Sequence, residues 1–292
     1  MGLQLVILAA GQGTRMASDR PKVLHEVAHA PLLHHAMRAG AALAPERTVI
    51  VTGHEGAAVG AAARELDPDA VIVEQAERLG TAHAVSQALP ALAGAGGHTL
   101  VLYGDTPFIG ADTLAAMVAG LADHAVMVLG FEAADPGRYG RLVRGPAGDL
   151  ERIVEYKDAT EAERAIGLCN SGVIACATEL LADLLPRIGN DNAAGEYYLT
   201  DLIGLARAAG HRAGLVVCDE AETLGVNSRA DLAAAETAFQ ARARAQAMAA
   251  GVTLAAPGTV HFAWDTALGR DAEVEPMVVF GPGVTVETGA RI

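Results

Sequence analysis

The chain has 292 residues, 51% hydrophobic and 19% charged, and its 21 Lys and Arg against 35 Asp and Glu give a net charge of −14. That length and composition build a full core without disulfides and exclude global disorder. The acidic balance excludes a general binder of nucleic acid or of an anionic membrane surface, so an anionic substrate has to be met by a few local cations.

Three cysteines with no Cys-x-x-Cys spacing fit a reducing, cytoplasmic setting. The apolar opening, Leu3 to Ala10, is too short for a membrane span and lacks the basic flank of a signal peptide. It reads instead as the first of a series of predicted strands: Leu3–Ala9, Thr48–Thr52, Val71–Glu74, Thr99–Tyr103, Val126–Phe131, Gly172–Ala175 and Leu215–Cys218. Between them lie helical patterns over Leu32–Ala44, Ala82–Ala93, Asp112–Asp123 and Glu196–Ala208. The alternation predicts an α/β fold, a mostly parallel sheet covered by helices on both faces. Ligands of such sheets sit beyond the carboxyl ends of the strands.

Arg229 to Ala250 reads as one long helix, with Ser228 and Asp231 as its start signal and Gly251 as its stop. Beyond it, Val274, Phe280, Val286 and Ile292 recur every six residues, as do Val278, Val284 and Ala290, with Gly283 and Gly289 in step. That period belongs to hexapeptide parallel β-helices. The pattern stops in mid-repeat at Ile292, which points to a piece of a longer protein, with a natively short chain as the alternative. The expected organisation is a nucleotide-handling domain over 1–228, a linking helix over 229–251 and an incomplete β-helix over 252–292.

The strongest local signal is Leu8-Ala-Ala-Gly-Gln-Gly-Thr-Arg-Met16 followed by Arg20-Pro-Lys22. Gly11 and Gly13 follow the first strand, where missing Cβ atoms let backbone N–H groups reach phosphate oxygens. Met16 takes the place of the third small residue of a dinucleotide fingerprint, and no P-loop Gly-Lys-[Ser/Thr] is present. What remains is a glycine turn with two cations, Arg15 and Lys22, suited to a triphosphate.

Asp105 follows a strand, with Gly104 beside it for close approach; the residues alone allow either a hard-metal ligand or an ordinary turn Asp. Asn227 is open to a metal role or to capping of the Arg229 helix, a role that Ser228 can fill. Gln75 offers the donor and acceptor of an amide, and Gly80-Thr81 open the next helix. Gly140, Glu155 and Asn170 follow or interrupt strand-like segments, and taken singly Gly140 reads as a turn residue and Glu155 as a solvated charge beside Lys157. His34-His35 cannot share a helix face as a metal pair, and neither His83 nor Cys169 and Cys176 carries a site. Arg242 and Arg244 read as the solvated face of the long helix.

Taken together, these motifs resemble the nucleotidyltransferases that join a sugar 1-phosphate to a nucleoside triphosphate. The resemblance is closest to the bacterial bifunctional N-acetylglucosamine-1-phosphate uridyltransferase/glucosamine-1-phosphate acetyltransferases. It runs through Leu79-Gly-Thr-Ala-His83, Tyr103-Gly-Asp-Thr-Pro107, Tyr139-Gly-Arg141, Ile153-Val-Glu-Tyr-Lys-Asp-Ala-Thr160, Cys169-Asn-Ser-Gly172, Gly195-Glu-Tyr-Tyr-Leu-Thr-Asp201 and Gly225-Val-Asn-Ser228. One departure is Gln12, where relatives often carry Lys.

The resemblance implies a Rossmann-like nucleotidyltransferase domain followed by a short left-handed β-helix. It implies the substrates UTP and N-acetylglucosamine 1-phosphate, with Mg²⁺ on Asp105 and Asn227. Leu8, Ala9, Ala10, Gly11, Gly13, Lys22, Gln75, Gly80, Thr81, Tyr103 and Gly104 would face the nucleotide, with Arg15 and Lys22 neutralising its phosphates. Gly140, Glu155 and Asn170 would face the amino sugar. The product, UDP-N-acetylglucosamine, would feed peptidoglycan and lipopolysaccharide synthesis in the cytoplasm. Full-length relatives would be homotrimers through the β-helix, and so few coils predict neither a full trimer interface nor acetyl transfer. The alternatives are another sugar-1-phosphate nucleotidyltransferase, or a non-catalytic sugar-nucleotide-binding subunit of the same fold.

Overall fold

A computed structural model describes residues 2–53, 56–146 and 148–292. Its strands, in chain order, are β1 (Leu3–Ala9), β2 (Glu26–Val27), β3 (Ala30–Pro31), β4 (Arg47–Thr52), β5 (Val71–Glu74), β6 (His98–Tyr103), β7 (Val126–Glu132), β8 (Arg141–Arg144), β9 (Leu150–Val154), β10 (Leu168–Ala177), β11 (Ala213–Cys218), β12 (Thr253–Leu254), β13 (Ala267–Leu268), β14 (Glu273–Val274) and β15 (Thr285–Val286). The helices are α1 (Leu32–Ala41), α2 (Ala57–Leu66), α3 (Thr81–Ser86), α4 (Leu89–Leu92), α5 (Ala111–Gly120), α6 (Glu161–Arg164), α7 (Thr178–Leu184), α8 (Asp201–Ala208) and α9 (Arg229–Ala249). Among the described residues no helix is long and apolar enough to cross a membrane.

Two compact units result. One joins the chain up to Gln12 to Leu33–Gly225; the other joins Gly13–Leu32 to Val226–Ile292. This division is not linear along the chain, because the segment after β1 packs with the C-terminal part.

The first unit is built on one sheet, in the order β11-β7-β10-β6-β1-β4-β5, with β8 and β9 added beside β10. β1 pairs in parallel with β4 and β6, β4 with β5, and β7 with β11. The sheet is mostly parallel but mixed: β10 runs antiparallel to both β6 and β7. β1 is buried along its whole length, as a central strand covered on both faces must be. Val6, Val49, Val101, Val128 and Ile174 join Leu181, Leu202 and Ile203 from the helices in the core.

Several expected elements are shorter or broken. The pattern over 82–93 splits into α3 and α4, because Pro90 lacks an N–H and its ring crowds the carbonyl four residues back, at Ser86, where α3 ends. The pattern over 196–208 yields a helix only from Asp201. Tyr197 instead exchanges backbone hydrogen bonds with the loop before α3, donating to Leu79 O at 2.7 Å and accepting from Ala82 N at 2.9 Å. β10 begins at Leu168 rather than Gly172, with a register irregularity between Asn170 and Ile174.

The second unit is organised by α9. Ser228 caps it by accepting from Asp231 N at 3.2 Å, and Gly251 at φ +92° ends it, both as expected. Past it the chain winds into parallel turns. Ala267 pairs with Thr285 and His261 with Val279, each eighteen residues on, which is three hexapeptides. Val274, Phe280 and Val286 are buried with Val252, Leu254 and Phe262, against Phe239 and Ala243 of α9. Arg244 is not a solvated residue of the helix: its guanidinium donates to Pro257 O and Val260 O, at 3.1 and 3.4 Å, tying the coil to α9.

Candidate functional site

In the first unit the candidate residues gather at one sheet edge. Gln75 follows β5 and Asp105 follows β6, inside a turn closed by Thr106 N donating to Tyr103 O at 3.3 Å. Leu8 and Ala9 are buried in β1, with Ala10 and Gly11 beyond it. Gly104 N donates to Leu8 O at 2.9 Å, joining the Tyr103–Asp105 turn to the end of β1.

Gln75 is buried, at 4% exposure. Its Nε2 donates to Gly80 O at 3.0 Å and to His83 Nδ1 at 3.1 Å, which fixes the amide plane. His83 thus acquires a role that the sequence did not suggest. Gly80 is required by its surroundings: its φ is +113°, and a Cβ there would lie 2.5 Å from Tyr197 O. Thr81 Oγ1 accepts from Leu199 N at 2.9 Å, so it is engaged by the 197–200 segment rather than by its own helix.

The grouping of the residues expected to face a sugar follows from strand register. Arg141 of β8 pairs with Cys169 of β10 on one side and with Val154 of β9 on the other. Both pairings are antiparallel, so one step further along all three strands lie Gly140, Asn170 and Glu155. Asn170 N donates to Gly140 O at 2.8 Å, and a Cβ on Gly140 would lie 3.3 Å from Glu155 Oε1. Three residues far apart in sequence thus form one row. Because β10 runs against its neighbours, Asn170 near its beginning lies beside the carboxyl end of β7, pairing with Gly130. The reverse direction of this strand was not legible in the sequence.

Thr200 Oγ1 donates to Glu155 Oε1 at 3.3 Å. The segment 197–200 therefore connects the Gly80-Thr81 loop to the row, and Thr200 joins the site unforeseen. Burial raises the Glu155 carboxyl above its ordinary range; the Thr200 hydrogen bond opposes this, and the charges of Asp158, Asp201 and Glu196 add to it. Tyr103 lies against Gly172, whose Cβ would meet its ring at 2.7 Å. Burial pushes its phenol up, with Asp105 and Glu155 adding to the rise and a hydrogen bond with Thr81 opposing it.

In the second unit, Arg15 is exposed on a single 3-10 turn (Thr14–Met16), and Lys22 is 8% exposed at the start of another (Lys22–Leu24). Gly13 has φ +62°, and a Cβ there would lie 2.6 Å from Lys22 Cβ, so only glycine admits this approach. Lys22 Nζ donates to Asn227 Oδ1 at 3.0 Å. Asn227 leaves capping to Ser228 and donates its own N–H to Asp231 Oδ2 at 3.0 Å. Residues 224–226 before it form no strand.

The loop is strapped to α9. Arg229 donates to Met16 O at 3.1 Å and to His25 Nδ1 at 3.3 Å, and Ala28 N donates to Glu236 Oε2 at 2.7 Å. Gln240, 3% exposed, donates to Glu236 Oε1 and to Phe262 O and accepts from Phe262 N, at 2.7–2.8 Å. Trp264 N donates to Ala28 O at 2.9 Å. Among the described residues no cluster of three or more His, Cys, Asp or Glu could form a protein-only metal cage.

A family model, the MobA-like NTP transferase domain, matches residues 5–175. The chain is 64% identical to the "Bifunctional protein GlmU" of Paracoccus denitrificans, over 99% of its own length and 64% of that relative. It is 66% identical to the protein of the same name from Cereibacter sphaeroides, again over 99% and 64%. The chain thus spans just under two thirds of the length of the curated relatives it matches. Among solved structures, the nucleoside-diphosphate-sugar pyrophosphorylase of Vibrio cholerae RC9 superposes with a TM-score of 0.64 at 16% identity, over 80% of this chain and 99% of that one. The inositol-1-phosphate CTP transferase of T. maritima superposes with a TM-score of 0.62 at 16% identity, over 81% and 94%. At that identity the two establish the nucleotidyltransferase-like α/β fold.

Proposed function

Because this chain belongs to the MobA-like NTP transferase domain family, we propose that it transfers a uridylyl group from UTP to N-acetylglucosamine 1-phosphate. The products are UDP-N-acetylglucosamine, a precursor for cell-wall synthesis in the cytoplasm, and pyrophosphate. The observation that carries this reading is the row Gly140–Asn170–Glu155, linked through Thr200 and Tyr197 to the Gln75–Gly80–Thr81 group. The Gln75 amide, its Nε2 held by Gly80 O and His83 Nδ1, has its oxygen to accept from a base edge, and the row offers donors and acceptors to sugar hydroxyl and amide groups. The names of the relatives above support the same reading, and the coil after α9 is then the start of their left-handed β-helix.

The sugar phosphate is already anionic and attacks the α-phosphorus of UTP without a general base. The protein positions the reactants and neutralises charge. Lys22 and Arg15 draw charge from the triphosphate and from the departing pyrophosphate. Asp105 and Asn227 would be the oxygen donors for Mg²⁺. A carboxylate and an amide carbonyl suit a hard cation that takes its remaining oxygens from phosphates and water. Asn227 Oδ1 already accepts from the ammonium of Lys22, so its oxygen is turned towards positive charge. When bound, the metal supplies Lewis-acid neutralisation of phosphate oxygens.

The test is pyrophosphate release by purified protein with Mg²⁺ and a matrix of four nucleoside triphosphates and several sugar 1-phosphates. UTP with N-acetylglucosamine 1-phosphate should turn over fastest, and UTP should exceed CTP at least severalfold, since a mismatched buried hydrogen bond costs ~1–3 kcal/mol. Preference for another pair, or no release with any, overturns the assignment.

A further inference from the structure

Arg141 is the largest fully buried side chain of the described residues, at 2% exposure. A buried guanidinium is costly unless its donors are taken. Here backbone carbonyls take them. Nη1 donates to Tyr139 O, Nη2 to Gly137 O at 3.0 Å and to Arg164 O at 3.3 Å, and Nε to Arg164 O at 3.4 Å. Among the described residues no carboxylate forms a salt bridge with it. A residue placed only for stability would more simply be apolar at the centre of a sheet.

Three of its neighbours, Tyr139, Tyr156 and Cys169, are each one residue away from the row. The bonds to Gly137 and Tyr139 fold the segment before Gly140 back over Arg141, with Gly137 at φ +42°. The guanidinium lies 5.9 Å from the ring of Tyr156, the neighbour of Glu155. Arg164, whose carbonyl Arg141 holds, stacks on the same ring at 4.6 Å and donates to Tyr156 O at 3.2 Å. On the other side Arg141 pairs with Cys169, the neighbour of Asn170. One residue therefore meets the segments that carry all three: its guanidinium those of Gly140 and Glu155, its backbone that of Asn170.

We infer that Arg141 is a positioning residue that sets the spacing of Gly140, Glu155 and Asn170 and thereby the enzyme's discrimination among sugar 1-phosphates. This rests on the uridyltransfer reading. Arg141 does not reach the sugar. It locks three backbone segments that would otherwise adjust independently to a smaller or larger substituent.

The test is steady-state kinetics of full-chain Arg141→Lys and Tyr156→Leu, varying sugar 1-phosphate and nucleotide separately. Lysine keeps the charge but cannot fork to three carbonyls. It should raise KM for N-acetylglucosamine 1-phosphate about tenfold, as small misplacements of binding groups do, and narrow the preference over glucose 1-phosphate by a similar factor. KM for UTP should stay within twofold. Tyr156→Leu should shift the same two quantities in the same direction by a smaller factor, and it decides the matter if the lysine variant does not fold. A variant that folds cooperatively, with sugar KM and sugar preference unchanged and only the melting temperature lowered, overturns the inference. Wild-type protein inactive with every pair sinks the uridyltransfer reading and this inference with it; an active wild type with unaltered variants overturns this inference alone.

Discussion

Two regions deliver the candidate groups by different means. In the first unit Gly140, Glu155 and Asn170 are brought into a row by strand pairing, so their spacing is written in the backbone ladder. In the second unit Arg15 and Lys22 ride on single 3-10 turns, followed by the hairpin of β2 and β3. The turn of that hairpin puts two non-glycine residues, Ala28 at φ +51° and His29 at φ +65°, in the left-handed region. Such residues cost ~1–2 kcal/mol each. What offsets them is a set of side-chain straps, Glu236 on Ala28 N and Arg229 on Met16 O, and the bond from Trp264 N to Ala28 O. A ladder tolerates side-chain change; a strap does not.

The largest expected effects lie at one residue from each region. Asp105→Ala should nearly abolish turnover while leaving the melting temperature close to wild type, because the turn that carries Asp105 is closed by backbone and Thr106. Lys22→Ala should lose about 3–4 kcal/mol of transition-state stabilisation, as removal of a preorganised donor does. It should also lower the melting temperature, since its Nζ holds Asn227. Losses that are equally silent in stability at both positions would break the comparison.

Sequence reasoning reached the ladder better than the straps. β1, β5, β6 and β11 were visible as short apolar runs, and Gln75, Asp105 and Glu155 do follow strands. β8 and β9 were not visible, because Arg141, Arg144, Glu151 and Arg152 interrupt their apolar alternation. The row of three was therefore reached only through motif resemblance. The capping of α9 was legible from Ser228 and Asp231, since a cap is local. The contacts of Arg229, Glu236 and Gln240 were not, because a charged or amide side chain on a helix looks the same in sequence whether it meets water or a carbonyl distant in the chain.

A paired substitution sharpens the contrast at intermediate size. Gln240→Leu keeps the volume but strands Phe262 N and O, two buried groups, at ~1–3 kcal/mol each. It also frees Glu236, which holds Ala28. Stability should fall by about 2–6 kcal/mol, and kcat should fall severalfold even at temperatures where the protein is fully folded. Ile153→Val, two residues before Glu155 on β9, should cost ~0.5–1.5 kcal/mol and leave kcat and both KM values unchanged, because register does not depend on that methyl group. Chemical denaturation with parallel kinetics checks both. An Ile153→Val enzyme slowed as much as Gln240→Leu would mean that the ladder is no more forgiving than the straps.

The smallest effect concerns the charge that the ladder holds in place. Burial raises the Glu155 carboxyl, and Asp158, Asp201 and Glu196 raise it further against the Thr200 hydrogen bond. In the unfolded chain the same group titrates near its ordinary value, ~4.3. The native state therefore holds the Glu155 proton more tightly than the unfolded one. The stability this contributes is fully present below the ordinary glutamate range and is lost as pH rises through the raised value. Glu155→Gln removes the titration and keeps an acceptor for Thr200. Its melting temperature relative to wild type should increase as pH rises above the unfolded value, ~4.3, and level off once the raised native value is passed. Above the raised value, where wild-type Glu155 is a carboxylate, the variant's KM for the sugar 1-phosphate should exceed that of wild type, because an amide replaces the stronger acceptor. A melting-temperature difference that stays flat with pH, or that shrinks as pH rises, would show that this carboxylate is not held against its surroundings. The row would then be comfortable for charge, and the difference between ladder and straps would reduce to backbone strain alone.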